Sequence, residues 1–304
     1  MKIYINKASE NWVVDRFREE WYFENPNMSS NNFFQTNLIW LISPWTFNPI
    51  YFKLFPNKKY IYSLYHIEDS VRDNNYSEIK KIDKFVECYH TISLETKNEL
   101  SKITNKKIYY IPFWIDPKKW FEIVEKDSLF EKYNLNKDDY LVGSFQRDSL
   151  ASNPALPKLI KGPDIFLKNV IEIKENRKED VCVVLAGRKR DYLLNELEKN
   201  NITYKYFEMV NQEELNELYN CLDLYIISSR LEGGPQAIVE CGLTNTPLVS
   251  TNVGMVSDFL HPDAIYDTEN FLEASPRNKV LKINVEKLKI PEGFANFVEM
   301  FKSI

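Results

Sequence analysis

The sequence predicts an α/β protein built from two parallel sheets, and three observations carry that prediction. Short, wholly apolar runs alternate with helical patterns through most of the 304 residues. That rhythm stops once, in the charged stretch WIDPKKWFEIVEKDSLFEKYNLNKDD at 114–139, and then restarts. Glycine and tryptophan are segregated: all eight glycines lie at or after Gly143, and all six tryptophans at or before Trp120. Apolar strands alternating with helices mark parallel sheets covered on both faces.

The elements follow in order. In the first half KIYI (2–5), NLIWLI (37–42), KYIYSLY (59–65), CYHTIS (88–93) and KIYYIP (107–112) read as buried strands. Ser9-Glu10-Asn11 can cap a helix running through Trp12, Val13, Phe17 and Trp21, and helical patterns fit 76–86 and 94–103. In the second half the strands are YLVGSF (140–145), VCVVLAG (181–187), ITYKYF (202–207), LYIIS (224–228) and PLVST (247–251). Helices fit from 161 and over 190–200, 211–221 and 235–243. The expected organisation is a Rossmann-like domain over 1–115, a linker over 116–139 and a second Rossmann-like domain over 140–285. A final helix within 286–304, with apolar Phe294, Phe297, Val298 and Phe301, is expected to cross back to the first domain.

Composition excludes several classes. A net charge of −5 and a pI near 5.5 argue against nucleic acid or an anionic membrane as partner. No apolar signal core and no run of ~20 apolar residues is visible, so a cytoplasmic protein without membrane insertion is expected. Cys88, Cys182, Cys221 and Cys241 lie in or beside apolar segments without C-x-x-C spacing, as reduced core thiols do. Three histidines make a His-rich metal centre improbable, and no Asp-x-Asp ends a predicted strand.

Ligands of open parallel sheets sit beyond the carboxyl ends of the strands. Those ends carry Gln146-Arg147, Gly187-Arg188-Lys189 and Arg230-Leu231-Glu232-Gly233-Gly234. Pro235 suits a first helical turn, and Gly233 and Gly234 before it let a ligand approach closely. The free N–H groups there, from Gly234, Gln236 and Ala237, form an anion site. Glu240 is the only charge between 237 and 243. A sugar diol would satisfy it, and so would a buried salt bridge to a lysine or arginine; the segment alone leaves both open. Arg147 after one strand and Lys161 opening a helix are the cations an anionic ligand would need.

Taken together, these pieces resemble the donor-binding domain of GT-B glycosyltransferases, specifically the retaining family 4. The matching segments are LVGSFQRDS (141–149), KGPDIFL (161–167), VCVVLAG (181–187), the run 206–242 and TPLVSTNVGMVSDFL (246–260). Glu232 and Glu240 match that family's pair of glutamates separated by seven residues, while CYHTISLETKNELSK and KIYYIPFWIDPKKWF resemble the end of its acceptor domain. The resemblance covers 88–260 well and the first 87 residues in outline.

It implies a GT-B fold and a nucleotide-diphosphate sugar, UDP- or GDP-linked, as co-substrate, with no cofactor and no metal. Arg147 and Lys161 would hold the diphosphate and Glu240 the ribose. Glu232, with Gly233, Gly234, Gln236 and Ala237, would hold the sugar, and the backbone of Met209 and Val210 would meet the base. His66, in SLYHIEDS, falls where relatives place a histidine beside the sugar, with Glu68 and Asp69 following. Trp12, Trp21, Trp40, Trp45, Trp114 and Trp120 include rings that can stack on a glycan or glycoconjugate acceptor, although most are expected in the core. The first loop, INKASENW, lacks the glycines common among relatives, so Ser9 or Asn11 would have to replace them. A sugar-nucleotide epimerase of the same fold and a degenerate binding module are the alternatives. Few histidines weigh against the first and the intact Arg147, Lys161, Glu232 and Glu240 set against the second.

Overall fold

A computed structural model describes residues 1–9, 13–68 and 72–304. The chain divides into two compact units, Met1–Trp114 with Ile290–Ile304, and Ile115–Lys289. The expectations placed on Glu10, Asn11, Trp12 and Asp69 fall outside the described residues.

The first unit holds β1 (Ile3–Ile5), α1 (Val13–Glu24), β2 (Leu38–Leu41), α2 (Ile50–Leu54), β3 (Lys59–Ser63), α3 (Arg72–Asp83), β4 (Val86–Thr91), α4 (Leu94–Ser101) and β5 (Lys107–Tyr110). The strands are parallel in the order β1-β2-β3-β4-β5. An isolated parallel bridge from Ile3 to Ser29, with Ser30 N–H donating to the Ile3 carbonyl at 2.9 Å, adds a vestigial strand on the free edge of β1. One core joins Val14, Phe17 and Trp21 of α1 to Trp40, Ile61 and Cys88, and to Phe294, Phe297, Met300 and Phe301 around the terminal helix Ala295–Lys302. Separate clusters gather Ile39, Leu41, Phe52 and Tyr60, and Ile79, Tyr89 and Leu100. Alternate residues of β2 thus enter different cores, as a period-2 element covered on both faces requires.

The second unit continues with α5 (Asp127–Lys132), β6 (Tyr140–Ser144), α6 (Pro163–Asn176), β7 (Val181–Ala186), α7 (Asp191–Lys199), β8 (Thr203–Phe207), α8 (Gln212–Cys221), β9 (Leu224–Ile227), α9 (Ala237–Thr244), β10 (Leu248–Thr251), α10 (Val256–Phe259), β11 (Ile265–Tyr266) and α11 (Asn278–Glu286). Its parallel order is β11-β10-β9-β6-β7-β8. The chain runs outward through β7 and β8, then returns to β9 on the other side of β6. That reversal opens a crevice at the carboxyl ends of β6 and β9. The stretch 116–139, expected as a linker, is folded into this unit: Trp120, Leu129, Tyr133 and Leu135 are buried in its core. The charged residues between them are mostly exposed and masked that apolar set in the sequence.

One buried histidine ties the first unit together. Trp40 Nε1 donates to Ser63 Oγ at 2.8 Å, Ser63 Oγ meets His90 Nδ1 at 2.9 Å, and His90 Nε2 meets the Ile111 carbonyl at 2.8 Å. That chain fits a neutral imidazole with its proton on Nε2. Burial lowers the His90 pKa to about 4, opposed by the Ile111 hydrogen bond. Between the ordinary value near 6.5 and about 4, the unfolded chain takes up a proton that the fold does not. The stabilisation is therefore complete above pH ~6.5 and drains as pH falls, by about 1.4 kcal/mol per pH unit in that window. Urea midpoints of wild type and His90→Asn, measured from pH 7 to 4, should converge on acidification; parallel curves would show that His90 does not titrate on unfolding.

Candidate functional site

The β6–β9 crevice is assembled by backbone as much as by side chains. Gly162 takes a left-handed φ of +60° just before α6, and a Cβ there would lie 1.7 Å from the Ser228 carbonyl oxygen. Only glycine lets the segment carrying Lys161 press onto the loop after β9. Polar contacts then knit the two loops and the end of β6. Gln146 Nε2 donates to the Lys161 carbonyl at 2.9 Å, and its Oε1 accepts from Ser229 Oγ at 3.2 Å. Arg230 forks onto both carboxylate oxygens of Asp164, at 2.7 and 2.6 Å, and its backbone N–H donates to the Ile160 carbonyl at 2.9 Å.

At this junction Lys161 Nζ forms an ion pair with Glu232 Oε1, which also accepts from Ser229 Oγ at 3.1 Å. The structure thus brings together the two residues that the sequence assigned to phosphate and sugar, and it pairs them with each other. Gly254, in the loop after β10, sits at φ +54° against the Glu232 and Gly233 carbonyls, where a Cβ would come within 2.5 and 2.3 Å. Gly233 is buried and Gly234 half-buried, and α9 begins at Ala237 with Gln236 as its N-cap. Pro235, expected in the first turn, lies just outside it and accepts from Ile238 N–H at 3.1 Å. The N–H groups preceding Ile238 are those an α-helix start leaves without intrahelical acceptors.

Glu240, 5% exposed, accepts a hydrogen bond from the Tyr219 hydroxyl at 2.9 Å. Tyr219, on α8, was not singled out in the sequence. Burial, followed by the Glu240 charge, raises its pKa well above the ordinary range, so it is a neutral donor. Met209 and Val210 occupy the loop between β8 and α8; Met209 is exposed, with Arg188 Nε 3.0 Å from its sulfur, and Val210 packs on the core containing Tyr219.

Arg147 is exposed at the end of β6, directly before a buried charge that sequence reasoning missed. Arg190, fully buried, meets Asp148 at 2.7 Å with its Nε–H angled off the carboxylate, a charge contact rather than an aligned hydrogen bond. The guanidinium also donates to the Gln146 carbonyl and, at 3.2 Å, to Ser144 Oγ. Burial lowers the Arg190 pKa and raises that of Asp148, and each charge opposes the other's shift.

Apart from Trp120, the remaining sequence candidates lie on the first unit. His66 is exposed beyond β3, and Glu68 is half-buried. In the glycine-free first loop Ser9 adopts φ +60°, and Asp15 Oδ1 accepts from Ala8 and Ser9 N–H at 3.0 and 3.1 Å. A carboxylate here secures the backbone turn that glycine would give without strain. Trp21, Trp40, Trp114 and Trp120 are buried, and Trp45 is 48% exposed. Among the described residues no group of histidine, cysteine and acidic side chains is arranged to hold a metal, and no helix is long and apolar enough to cross a membrane.

Comparison with known proteins bears on this geometry. The family described as glycosyl transferases group 1 matches residues 126–289. No curated protein sequence matches the chain significantly. Among solved structures, HepE from Anabaena in complex with UDP and glucose is similar over 100% of both chains, with a TM-score of 0.73 at 12% identity. Sucrose-phosphate synthase from Thermosynechococcus elongatus is similar over 95% of this chain and 77% of its own, with a TM-score of 0.70 at 12% identity. A glycosyltransferase from Rickettsia africae is similar over 98% and 83%, with a TM-score of 0.60 at 14% identity. Both units therefore have the parallel α/β fold of GT-B glycosyltransferases.

The glycines give a test of the loop architecture. Gly187, at φ +90°, has only the Phe145 carbonyl at 3.7 Å from its built Cβ, so Gly187→Ala should cost the left-handed strain alone, about 1–2 kcal/mol. Gly162→Ala adds a backbone collision and should destabilise distinctly more. Equal losses in urea unfolding would mean that the loop after β9 yields freely.

Proposed function

The chain belongs to the glycosyl transferases group 1 family, and on that footing we propose that it moves a sugar from a nucleotide-diphosphate sugar to an acceptor hydroxyl. We further propose family 4 chemistry, with retained anomeric configuration and no metal ion. The observation that carries the reading is the meeting of Lys161, Glu232 and the start of α9 at the β6–β9 switch point, with Arg147 on the adjoining loop. UDP is the first choice of nucleotide over GDP, because HepE shares the fold over its whole length and is solved with UDP and UDP-glucose. The acceptor would be a glycan or glycoconjugate.

In this reading the Lys161–Glu232 pair is exchanged on binding. A β-phosphate oxygen takes Lys161, and the released Glu232 turns to the sugar hydroxyls. Arg147 forks onto the diphosphate, and the α9 N–H groups with Gly233, Gly234, Gln236 and Ala237 border the sugar. Glu240, oriented by Tyr219, accepts from the ribose hydroxyls, and the Met209–Val210 backbone borders the base. As the anomeric carbon–oxygen bond to the β-phosphate breaks, charge grows on the leaving oxygen, where fixed cations stabilise it. The acceptor oxygen then bonds to the anomeric carbon on the same face, and its proton passes to the leaving phosphate. For His66 the reading rests on the resemblance; His66→Ala should lower turnover, and an unchanged rate removes it.

The primary experiment is a thermal-shift series with UDP, GDP, ADP, CDP and dTDP. A ligand at ~100 times its Kd adds about 2.7 kcal/mol. One nucleotide should shift the wild type, and the shift should vanish in Glu240→Ala and shrink in Tyr219→Phe. Glu232→Gln should lower turnover at least tenfold while leaving nucleotide affinity within about threefold. No shift with any nucleotide would sink the donor-site reading.

A further inference from the structure

A hairpin between Arg147 and Lys161 carries a cation that neither the sequence nor the comparisons assign. Its arms pair through the Ser149–Pro157 bridge, with Leu150 N–H donating to the Leu156 carbonyl at 3.0 Å and Lys158 N–H to the Asp148 carbonyl at 2.6 Å. On the other side of the same strand, Asp148 and Ser149 N–H donate to the Lys189 carbonyl at 3.2 and 3.1 Å. Lys161 N–H donates to the Lys158 carbonyl at 2.8 Å. Arg147, Lys158, Lys161 and Lys189 are therefore fixed to one backbone frame, and the buried Asp148–Arg190 contact pins its centre.

The Lys158 side chain is half-buried within that frame. Burial lowers its pKa, and Arg147, Lys161 and Lys189 push it further down; among its strongest charged neighbours only Glu232 opposes them. The strongest charged influences on Lys158 are thus three cations and one carboxylate, and that carboxylate is already paired with Lys161. Partly desolvating an ammonium among like charges is unfavourable in the free protein and becomes favourable when an anion arrives. The diphosphate of a nucleotide sugar carries two negative charges. While Glu232 neutralises Lys161, Arg147 alone cannot match them.

We propose that Lys158 is a further donor-binding residue, a second point charge on the diphosphate beside Arg147 and Lys161. The inference rests on the nucleotide-sugar reading of this site.

Titration calorimetry with inorganic pyrophosphate tests it independently of the base, followed by UDP. Lys158→Met keeps the apolar stem and removes the charge. It should weaken pyrophosphate binding about tenfold and flatten its salt dependence, while Lys158→Arg keeps most of the affinity and Lys137→Met on the exposed surface changes nothing. The melting temperature of ligand-free Lys158→Met should hold or rise as repulsion is relieved, whereas a merely structural lysine would lose stability. Wild-type binding with unchanged affinity in Lys158→Met, or a fall in its melting temperature, overturns the inference and leaves the donor site standing. Absence of wild-type binding to both pyrophosphate and UDP overturns the donor site itself.

Discussion

The contact between Arg190 and Asp148 sets the geometry of the candidate site in the second unit. A guanidinium with no exposed surface is expensive to bury, and the structure offsets that cost with the Asp148 carboxylate, the Gln146 carbonyl and the Ser144 hydroxyl. All three acceptors lie at or just past the end of β6, and Arg147 lies between two of them. The exposed arginine therefore projects from a backbone clamped on both sides. Gln146, clamped through its carbonyl, uses its side chain to bridge the Lys161 carbonyl and Ser229. One buried charge thereby reaches three loops of the crevice, and removing either partner alone would leave an uncompensated ion, a loss of about 3–5 kcal/mol.

The two glutamates of the site are held in different ways. Glu232 is matched to Lys161, so in the proposed reading donor binding would be an exchange of partners, which would favour a ligand able to satisfy both groups at once. Glu240 is different: it is buried within an apolar helix and accepts a hydrogen bond from the Tyr219 hydroxyl. A neutral donor orients a carboxylate while preserving its capacity to accept from a diol. The choice that the sequence left open between a buried salt bridge and a sugar diol acquires a third member, a tyrosine hydroxyl, which is compatible with the diol.

How much of this was legible depends on the scale at which the physics acts. Strand–helix alternation exposed the parallel sheets, because apolar runs between turn residues have few other uses, and the rule on carboxyl ends then pointed to Arg147 and Glu232 as candidates. The Lys161–Glu232 pair was not legible, since it depends on an approach allowed by Gly162 that joins residues 71 positions apart. Arg190 resembled one more basic residue at a strand end, because nothing local announces burial. Lys158 sits on a hairpin that lacks the Asn-Gly or Asp-Gly signal of a tight turn. The misread linker shows the converse error: charge on the exposed faces of 116–139 concealed Trp120, Leu129, Tyr133 and Leu135 beneath.

The segregation of glycine and tryptophan now has a physical reading, although it does not divide at the unit boundary. Trp120 belongs to the second unit, and Gly293 to the first. In the second unit, Gly162 and Gly254 stand where one loop's backbone meets another's, beside the Gly233-Gly234 entry to α9. Close backbone approach is what an anion site built from N–H groups requires. The first unit makes its equivalent turn with Ser9 and the Asp15 carboxylate, and fills its core with Trp21, Trp40 and Trp114. It is built for side-chain packing rather than backbone approach. The glycan acceptor proposed above would present hydroxyls and apolar ring faces, not concentrated charge, and would be recognised by side chains. Among the described tryptophans, Trp45 alone is exposed to offer such a face.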